Sequence, residues 1–432
     1  MLIDAFPFFN EFDVLELRLR ELYDAVDRFV LVEATRTHAG DLKPLYFQQN
    51  AERFAPWMDK IQHVVVNLPP GAGLVAAWRR EIMQRQGIAQ GLADVPDDAH
   101  VLISDCDEIP RRTHVVVGNL PPDGILIYGQ KLHYYNLNTT SAAVWNGTRL
   151  TQAGNVRALG ADGIRYAGQE RGGFPRMAFV PDAGWHLSYF GDAMHVQTKI
   201  RSFLHQEFNL PEHTDEVTIA ERIAAGCDVY GRAGEQFTIG PCVDAPWGVR
   251  SDYNRWSHLF AEGWAPHFDE DWYTPDHADI LRSLVKEAPV EGWIVEIGCW
   301  EGYSTCALAQ GAAPRSIAAV DWWRGNETEG DMHPSVTSAR ERNVFHGYRH
   351  NIRVLTPLTN TVYTHRQDWH KWAQEYQHSI AFLHLDAAHD EASVYDCLSL
   401  LRERAVPGAI FCGDDFYSEG VRQGVGRALG DV

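Results

Sequence analysis

The chain has 432 residues, 45% of them hydrophobic, and a formal net charge of −20 at pH 7. That length exceeds what one hydrophobic core usually organises, so the sequence predicts two domains. The acidic balance argues against nucleic acid or an anionic membrane as the main partner, although a metal can mediate binding of an anionic nucleotide. Seven cysteines without a C-x-x-C pair indicate neither a disulfide framework nor a zinc cluster, and they favour a reducing compartment.

The first residues, MLIDAFPFFNEFD, lack the basic and apolar regions of a signal peptide. No apolar run approaches the length of a membrane span. We therefore expect a cytoplasmic protein without membrane insertion.

In the first half, apolar spacing predicts a helix at about 14–25, and shorter apolar runs predict strands at 28–33, 62–69, 101–105 and 124–138. Residues 241–278 are rich in Pro, Gly, Trp and Asp and are predicted to connect domains 1–240 and 279–432. In the second half, five strands of a doubly wound sheet are predicted at WIVEIG (293–298), SIAAVD (316–321), NIRVLT (351–356), IAFLHLD (380–386) and AIFCGDD (409–415). Strands alternating with helices indicate an α/β fold in both domains.

The run VLISDCDEIP ends an apolar strand with three carboxylates, those of Asp105, Asp107 and Glu108. Ser and Asp are common at strand ends and helix caps, so an ordinary polar turn is one interpretation. The other is a divalent-cation site, because hard cations take oxygen ligands and alternate side chains of a strand reach the same side. Glu108 is either a partner of the two aspartates or a helix cap.

Segments around this run resemble glycosyltransferase family 17, whose animal members add the bisecting N-acetylglucosamine. These segments, within residues 1–240, are VEATRTHAGDLKPLYF, REIMQRQGI, DCDEIP, AGWHLSYFGD, KIRSFLHQEF and AAGCDVYGR. The resemblance implies a GT-A-type fold and inverting transfer from a UDP-sugar, UDP-N-acetylglucosamine, with Asp105 and Asp107 holding Mn²⁺ or Mg²⁺ against the diphosphate. The animal enzymes carry a membrane anchor, whereas we expect none in this protein, so we expect a bacterial-type glycan, a glycolipid or a small glycoside as the acceptor.

Further residues of this half have two interpretations each. His186 is a third metal ligand or a structural histidine, Glu33 is a nucleotide contact or a structural residue, and Trp185 stacks on a sugar or packs in the core. An inverting transfer needs a carboxylate base near the acceptor hydroxyl, for which Asp192 and Glu170 are both candidates. Three basic residues are phosphate contacts or surface charges: Lys43, Arg79 and Arg80.

In the second half, VEIGCWEGYST follows a strand and opens a helix, where glycines let a ligand approach the backbone. The G-x-x-x-G spacing from Gly298 to Gly302 differs from the G-x-G-x-x-G of NAD sites, which weakens an oxidoreductase interpretation. Asp321 ends the next strand, where an acid can bind a ribose diol. A plain α/β turn followed by a strand-end aspartate is the alternative.

This half is similar to class I S-adenosylmethionine-dependent methyltransferases, and most to the metal-dependent sugar O-methyltransferases of antibiotic pathways. The similarity lies in VEIGCWEGYST, AAVDWW, LHLDAAHDEASVYDCLSLL and PGAIFCGDDF. It implies S-adenosylmethionine-binding residues at Glu296, Gly298, Trp300, Gly302, Ser304 and Asp321. It also implies Mg²⁺ ligands at Asp386, Asp414 and Asp415, with Asp386 or His389 as proton acceptor; a strand-end turn is the alternative for Asp414 and Asp415. A metal on a sugar diol lowers the hydroxyl pKa and orients the oxygen toward the sulfonium methyl.

The family has a seven-stranded sheet, and about one helix follows AIFCGDDF here. We therefore expect a Rossmann-like sheet without its final strands, its edge covered by the first domain or by a second copy in a homo-oligomer. The sequence thus predicts a bifunctional enzyme of glycan synthesis that transfers a sugar and O-methylates a sugar hydroxyl. The alternative is an active glycosyltransferase with a noncatalytic cofactor-binding or scaffolding module.

Overall fold

The computed structural model describes residues 1–115, 120, 124–167, 176–232, 234–326 and 330–430. The chain forms two compact units. Unit 1 comprises residues 1–240, 245–252 and 258–263, and unit 2 comprises residues 241–244, 253–257 and 264–432. Among the described helices, none combines the length and the apolar character that a membrane span needs.

Unit 1 is built on one ten-stranded sheet with the order β3-β2-β1-β4-β7-β6-β9-β5, to which β8 adds beside β6 and β10 beside β7. Strands β1 to β4 run parallel, and β7 pairs antiparallel with both β4 and β6. The strands are β1 (Leu2–Phe8), β2 (Arg28–Ala34), β3 (Ile61–Val66), β4 (His100–Ile103), β5 (Glu108–Pro110), β6 (Gly124–Tyr134), β7 (Thr139–Gln152), β8 (Arg176–Val180), β9 (Gly184–Ser188) and β10 (Thr238–Ile239).

Helices cover both faces of the parallel part of this sheet, so its strands are apolar on both sides. In β2, Phe29 and Leu31 pack into one buried cluster and Val30 and Val32 into another. The α-helices of unit 1 are α1 (Phe12–Leu22), α2 (Tyr46–Gln49), α3 (Leu74–Gln86), α4 (Ile88–Gly91), α5 (Ala153–Arg165), α6 (Ala193–Ser202), α7 (Pro211–Thr214), α8 (Glu216–Ala225) and α9 (Trp247–Arg250). Short 3₁₀ helices of the chain are Ala51–Trp57, Arg112–His114, Gln206–Phe208 and Ser257–Leu259.

Unit 2 is a five-stranded parallel sheet with the order β13-β12-β11-β14-β15. Its strands are β11 (Trp293–Ile297), β12 (Ile317–Asp321), β13 (Val362–Arg366), β14 (Ile380–Leu385) and β15 (Ala405–Gly413). Its helices are α10 (Pro275–Glu287), α11 (Tyr303–Ala312), α12 (Pro334–Glu341), α13 (Val344–Leu355), α14 (Trp369–Glu375), α15 (Glu391–Arg402) and α16 (Glu419–Leu429). This is a Rossmann-like arrangement, and in the described part of unit 2 no strand follows β15.

The α/β fold class is confirmed, and several details differ from the sequence prediction, which did not include strands β5, β7, β8, β9 and β10. The strand predicted at NIRVLT is wrong, because these residues end helix α13, which Asn343 caps by accepting a hydrogen bond from the His346 N–H. The strand that fills this place is β13, whose sequence VYTHR is half polar because it lies at the edge of the sheet. Strand β1 was missed altogether, although its side chains are almost all buried.

Candidate functional sites

The D-x-D run lies in a turn between β4 and β5, and a buried arginine fixes the backbone of that turn. The Arg18 guanidinium donates to the carbonyl oxygens of Asp105 at 3.0 Å, Cys106 at 3.2 Å and Glu108 at 2.8 Å. Arg18 also binds the Asp4 carboxylate, and both side chains are 0% exposed. Because a guanidinium carries five N–H donors in a rigid plane, this contact sets the direction of each carbonyl in the turn.

Asp105 is paired with two arginines. Its Oδ1 lies 3.1 Å from Arg85 and its Oδ2 lies 3.3 Å from Arg165. Burial alone would raise the pKa of this carboxyl, but the two guanidinium groups outweigh it and lower the pKa to about 2. The carboxylate is therefore ionised at neutral pH, with its charge already matched by cations of the protein.

Asp107 lies beside a histidine and a lysine. Its Oδ2 accepts a hydrogen bond from Lys199 Nζ at 2.8 Å, and its Oδ1 lies 3.7 Å from His186 Nε2. Burial would raise the pKa of Asp107, but Lys199 and His186 lower it far below its ordinary range. The same pair raises the pKa of Lys199 above its ordinary range, against the opposing effect of burial.

We tested whether these residues fit the divalent cation that the family resemblance implies. Asp107 Oδ1 and His186 Nε2 face each other at 3.7 Å, a spacing at which both can bind one ion. Ions that bridge phosphates are held by one or two protein ligands, with the phosphates and waters supplying the rest. Asp107 and His186 fit this role, whereas both oxygens of Asp105 are engaged by arginines.

Glu108 is buried at the start of β5, directly opposite His186 on β9. Its Oε2 accepts the backbone N–H of Asp105 at 3.0 Å, and its Oε1 accepts the indole N–H of Trp145 at 2.6 Å. Of the two interpretations from sequence, the structure supports a partner of the aspartates, because no helix begins at this residue.

Three residues predicted as ligand contacts are buried in the protein. The Glu33 carboxylate accepts hydrogen bonds from Lys43 Nζ at 3.3 Å and from the Phe47 N–H at 3.1 Å, and it also contacts His63. The Arg80 guanidinium donates to the carbonyl oxygens of His38 and Gly71. Trp185 is 1% exposed and packs in the core. Within the described residues, then, the carboxylate of Glu33 holds the segment after β2, and its contact with a nucleotide stays a prediction.

Of the two candidate bases, only Asp192 lies within the described residues. Asp192 is 64% exposed and caps α6, its Oδ1 accepting the His195 N–H at 2.9 Å. Lys199, which binds Asp107, lies on the same helix roughly 10 Å further along its axis. Glu170 lies outside the described residues.

In unit 2, the glycine-rich loop joins β11 to α11. Gly298 has φ of 86°, and a Cβ there would lie 1.8 Å from the carbonyl oxygen of Asp386, so only glycine fits. Gly302, with φ of 87°, is the N-cap of α11. The loop is held by Asp321, whose Oδ2 accepts the N–H groups of Cys299 and Trp300, both at 2.9 Å. Burial raises the pKa of Asp321 despite these hydrogen bonds.

A cavity of about 880 Å³ opens at the carboxyl ends of these strands. Of the predicted cofactor-binding residues, Gly298, Trp300, Ser304 and Asp321 line it. Glu296 and Gly302 are not among its lining residues. Glu296 is 0% exposed and is bound to Thr305 and His384, and its contact with the cofactor stays a prediction.

At one side of this cavity, Asp386, His389 and Asp415 place their ligand atoms within 4.8 Å of one another. His389 Nε2 lies 2.8 Å from Asp415 Oδ2 and 4.0 Å from Asp386 Oδ1. One nitrogen and two carboxylates fit a divalent cation. Asp414, predicted as a ligand, lines the cavity but accepts the backbone N–H of Asp415 at 2.8 Å, and His389 completes the cluster instead.

Another wall of the cavity comes from the segment predicted to be a connector. Phe268, Glu270, Trp272 and Tyr273 line the cavity, and Trp272 stacks on Trp300 with 5.5 Å between ring centroids. This wall is held by the Glu301 carboxylate, which is hydrogen-bonded by the backbone N–H groups of Asp269 and Glu270 at 3.1 Å and by Arg342 at 2.7 Å.

Several residues of these sites were missed from the sequence, among them Arg18, Lys199, Trp145 and Trp272. Arg18 had a readable signal, because it falls at helical spacing on the buried face formed by Leu15, Leu19 and Leu22. Lys199 lies within a segment that resembled the family but had no separate signal. Trp145 and Trp272 had none, because the strand of the first was not recognised and the second was assigned to a connector.

Two models of known protein families match separate parts of the chain. The family model described as glycosyltransferase family 17 matches residues 1–244, more than half of the chain. A second model, described as a methyltransferase domain, matches residues 295–416.

Two curated relatives are the beta-1,4-mannosyl-glycoprotein 4-beta-N-acetylglucosaminyltransferases of Rattus norvegicus and Homo sapiens, each 32% identical over 121 residues, or 26% of this chain. The match spans only 22% of the length of either relative. Among solved structures, a TDP-rhamnose 3'-O-methyltransferase of calicheamicin biosynthesis and an O-methyltransferase from Bacillus cereus in complex with SAH each have a TM-score of 0.23 and 20% identity. These two matches cover 35% of this chain and 68% of the other chain, and no inference is drawn from likeness at that level.

Proposed function

From the premise that this chain belongs to glycosyltransferase family 17, we propose that unit 1 transfers N-acetylglucosamine from its UDP-sugar with inversion. We also propose that unit 2 O-methylates a sugar hydroxyl with S-adenosylmethionine, which makes the chain a bifunctional enzyme of glycan synthesis. The acceptor we propose is a glycan, glycolipid or small glycoside. The observation that carries the first activity is the D-x-D turn, in which Arg18 fixes the backbone and Asp107 faces His186.

The residues of unit 1 have separate tasks in this transfer. Asp107 and His186 would hold Mn²⁺ or Mg²⁺, which supplies positive charge to the leaving diphosphate. The ammonium of Lys199 adds a second positive charge within 2.8 Å of Asp107. Asp105, paired with Arg85 and Arg165, keeps the first half of the turn rigid.

Inversion requires one displacement at the anomeric carbon. The acceptor hydroxyl oxygen forms the new bond while the bond to the diphosphate oxygen breaks, and a carboxylate takes the hydroxyl proton. Asp192 is an exposed carboxylate at the start of the helix that carries Lys199. Asp192 and Glu170 remain the two candidates for this base.

In unit 2, the cavity supports the methyl transfer. Gly298, Trp300, Ser304 and Asp321 would surround the cofactor. Asp386, His389 and Asp415 would hold Mg²⁺, which lowers the pKa of a bound sugar hydroxyl. As the hydroxyl oxygen bonds to the methyl carbon, the bond from that carbon to the sulfonium sulfur breaks and S-adenosylhomocysteine leaves. The hydroxyl proton would go to an atom that does not bind the ion, either the second carboxylate oxygen of Asp386 or the other ring nitrogen of His389.

A second candidate for unit 2 is a noncatalytic binding or scaffolding module beside an active unit 1. In that case unit 2 would bind S-adenosylmethionine without turnover. Formation of S-adenosylhomocysteine on a panel of glycosides distinguishes the two.

A thermal-shift panel of the whole chain tests both assignments together. UDP, GDP, UDP-N-acetylglucosamine, S-adenosylmethionine and NAD are each added with and without Mn²⁺ or Mg²⁺. We expect UDP compounds with metal and S-adenosylmethionine to raise the melting temperature, since a ligand that binds only the native state stabilises it. Stabilisation by NAD, or by no UDP compound, would contradict the proposal.

A further inference from the structure

Trp145 lies on β7 beside the D-x-D turn and is partly open to solvent. Its exposed fraction is 39%, whereas Trp185, two strands further along the chain, is 1% exposed with the Arg111 guanidinium 4.3 Å from its ring centroid. Val144 precedes Trp145 on the same strand and points to the opposite face. Part of one large aromatic surface is therefore accessible next to the proposed diphosphate site.

Two contacts fix the orientation of this indole. Its N–H donates to Glu108 Oε1 at 2.6 Å, and the other oxygen of Glu108 accepts the Asp105 N–H at 3.0 Å. Its ring packs against the His186 imidazole, with 4.6 Å between centroids and 32° between planes. The indole therefore contacts both the turn and a proposed metal ligand. Because these contacts already fix its orientation, little conformational entropy is lost when a ligand packs on it.

We propose that the exposed part of the Trp145 indole is the surface on which the pyranose ring of the nucleotide-sugar donor packs. This inference rests on the proposed function of unit 1. The donor sugar is joined directly to the diphosphate, and Trp145 contacts His186, which faces Asp107. A sugar ring presents C–H groups on its faces, and an aromatic plane fixed by a satisfied N–H offers a matching apolar surface.

The test compares a ligand with and without the sugar. Titration calorimetry in Mn²⁺ measures the dissociation constants of UDP and of UDP-N-acetylglucosamine for the wild type, Trp145→Phe and Trp145→Ala. We expect Trp145→Ala to weaken binding of the UDP-sugar about 10-fold and binding of UDP less than about 2-fold, since a stacked ring contributes on the order of this much. Trp145→Phe should fall between, because it keeps a smaller ring.

Val144→Ala is the matched control, because it alters the neighbouring exposed side chain on the other face of the strand and should change neither constant. Near-ultraviolet circular dichroism and the melting temperature establish that each variant is folded. Equal weakening of UDP and UDP-sugar would overturn the inference and assign Trp145 a structural role at His186.

Two further outcomes would also overturn it. Unchanged donor binding with slower sugar transfer would place the acceptor, not the donor, on this indole. If the wild type itself binds no UDP, the proposed function of unit 1 is contradicted as well. The UDP titration of the wild type shows this independently of the variants.

Discussion

Each unit carries acidic residues at the end of a parallel strand, but the two sets are neutralised in different ways. In unit 1, Asp105 is paired with Arg85 and Arg165, and Asp107 with Lys199. In unit 2, the ion pairs that the described residues give Asp386 and Asp415 both come from His389. Aspartates at a strand end therefore do not define a metal site by themselves. The basic residues that other elements bring to them decide how much charge is left for a cation.

We expect the greatest loss of activity when Asp107 in the site of unit 1 is replaced. Asp107→Asn removes the charge that faces His186 and Lys199, and we expect sugar transfer to fall about 1000-fold, as when a group that stabilises developing charge is lost. Binding of S-adenosylmethionine should not change. Asp24→Asn, at an exposed position after α1, is the control. Transfer at the wild-type rate by Asp107→Asn would remove Asp107 from the proposed mechanism.

Two roles of Arg18 can be separated: its contribution to the stability of unit 1 and its positioning of the D-x-D turn. Arg18→Met leaves the Asp4 carboxylate buried without its partner, and we expect the free energy of unfolding of unit 1 to drop by about 3 kcal/mol in urea denaturation. Adding Asp4→Leu removes the unpaired charge and should restore most of this stability. The double variant should still transfer sugar slowly, because the three carbonyl contacts of Arg18 are not restored. Full recovery of transfer would show that Arg18 has no positioning role.

A third variant addresses the acidic set of unit 2. Asp415→Asn should lower methyl transfer about 100-fold and weaken Mg²⁺ binding measured by calorimetry, because it removes one of three convergent ligands. Sugar transfer should stay at the wild-type rate. Glu403→Gln, an exposed carboxylate at the end of α15, serves as its matched control. Wild-type Mg²⁺ affinity in Asp415→Asn would exclude this cluster as the metal site.

The free energy of unfolding should depend weakly on pH through Asp105. The pKa of Asp105 is lowered from 3.8 to about 2, because Arg85 and Arg165 outweigh its burial. A carboxyl whose folded pKa is depressed stabilises the protein above about pH 4, and this contribution is lost as the pH falls toward 2. Asp105 is 35% exposed, so solvent screening reduces the contribution to about 1 kcal/mol.

Urea unfolding from pH 5 to pH 2 checks this prediction. The free energy of unfolding of the wild type should fall more steeply than that of Asp105→Asn, which has no charge to lose. Parallel curves for the two proteins would show that the arginines do not stabilise the ionised form of Asp105.

The parts of the fold that follow from local patterns were predictable from the sequence. Helix α1 and strands β2, β3, β4, β11, β12 and β14 lie within a few residues of the predicted positions. Edge strand β13 was not found because an edge strand needs no continuous apolar run, and α13 was mistaken for a strand because its last turn, IRVL, is locally apolar.

The candidate sites were predictable only in part. A strand-end acid can be read from the sequence, as Asp107 and Asp386 show. Its partners cannot, because Lys199 lies 92 residues from Asp107 along the chain and meets it only in the folded protein. The sequence also does not show which strand-end groups converge: the Asp414 carboxylate accepts the N–H of Asp415, while His389 lies beside Asp386 and Asp415.

The cavity of unit 2 has a wall formed by Phe268, Glu270, Trp272 and Tyr273, and this wall decides where the unit can be cut in an engineered protein. The family model begins at residue 295, and the sequence suggested a boundary at 279, but this wall precedes both. A segment that starts at residue 279 would encode the whole parallel sheet, whereas one that starts at residue 295 would also shorten β11 (Trp293–Ile297). Both would leave this side of the cavity open to water. A segment meant to keep the cavity closed must therefore include residues 268–273 together with Glu301.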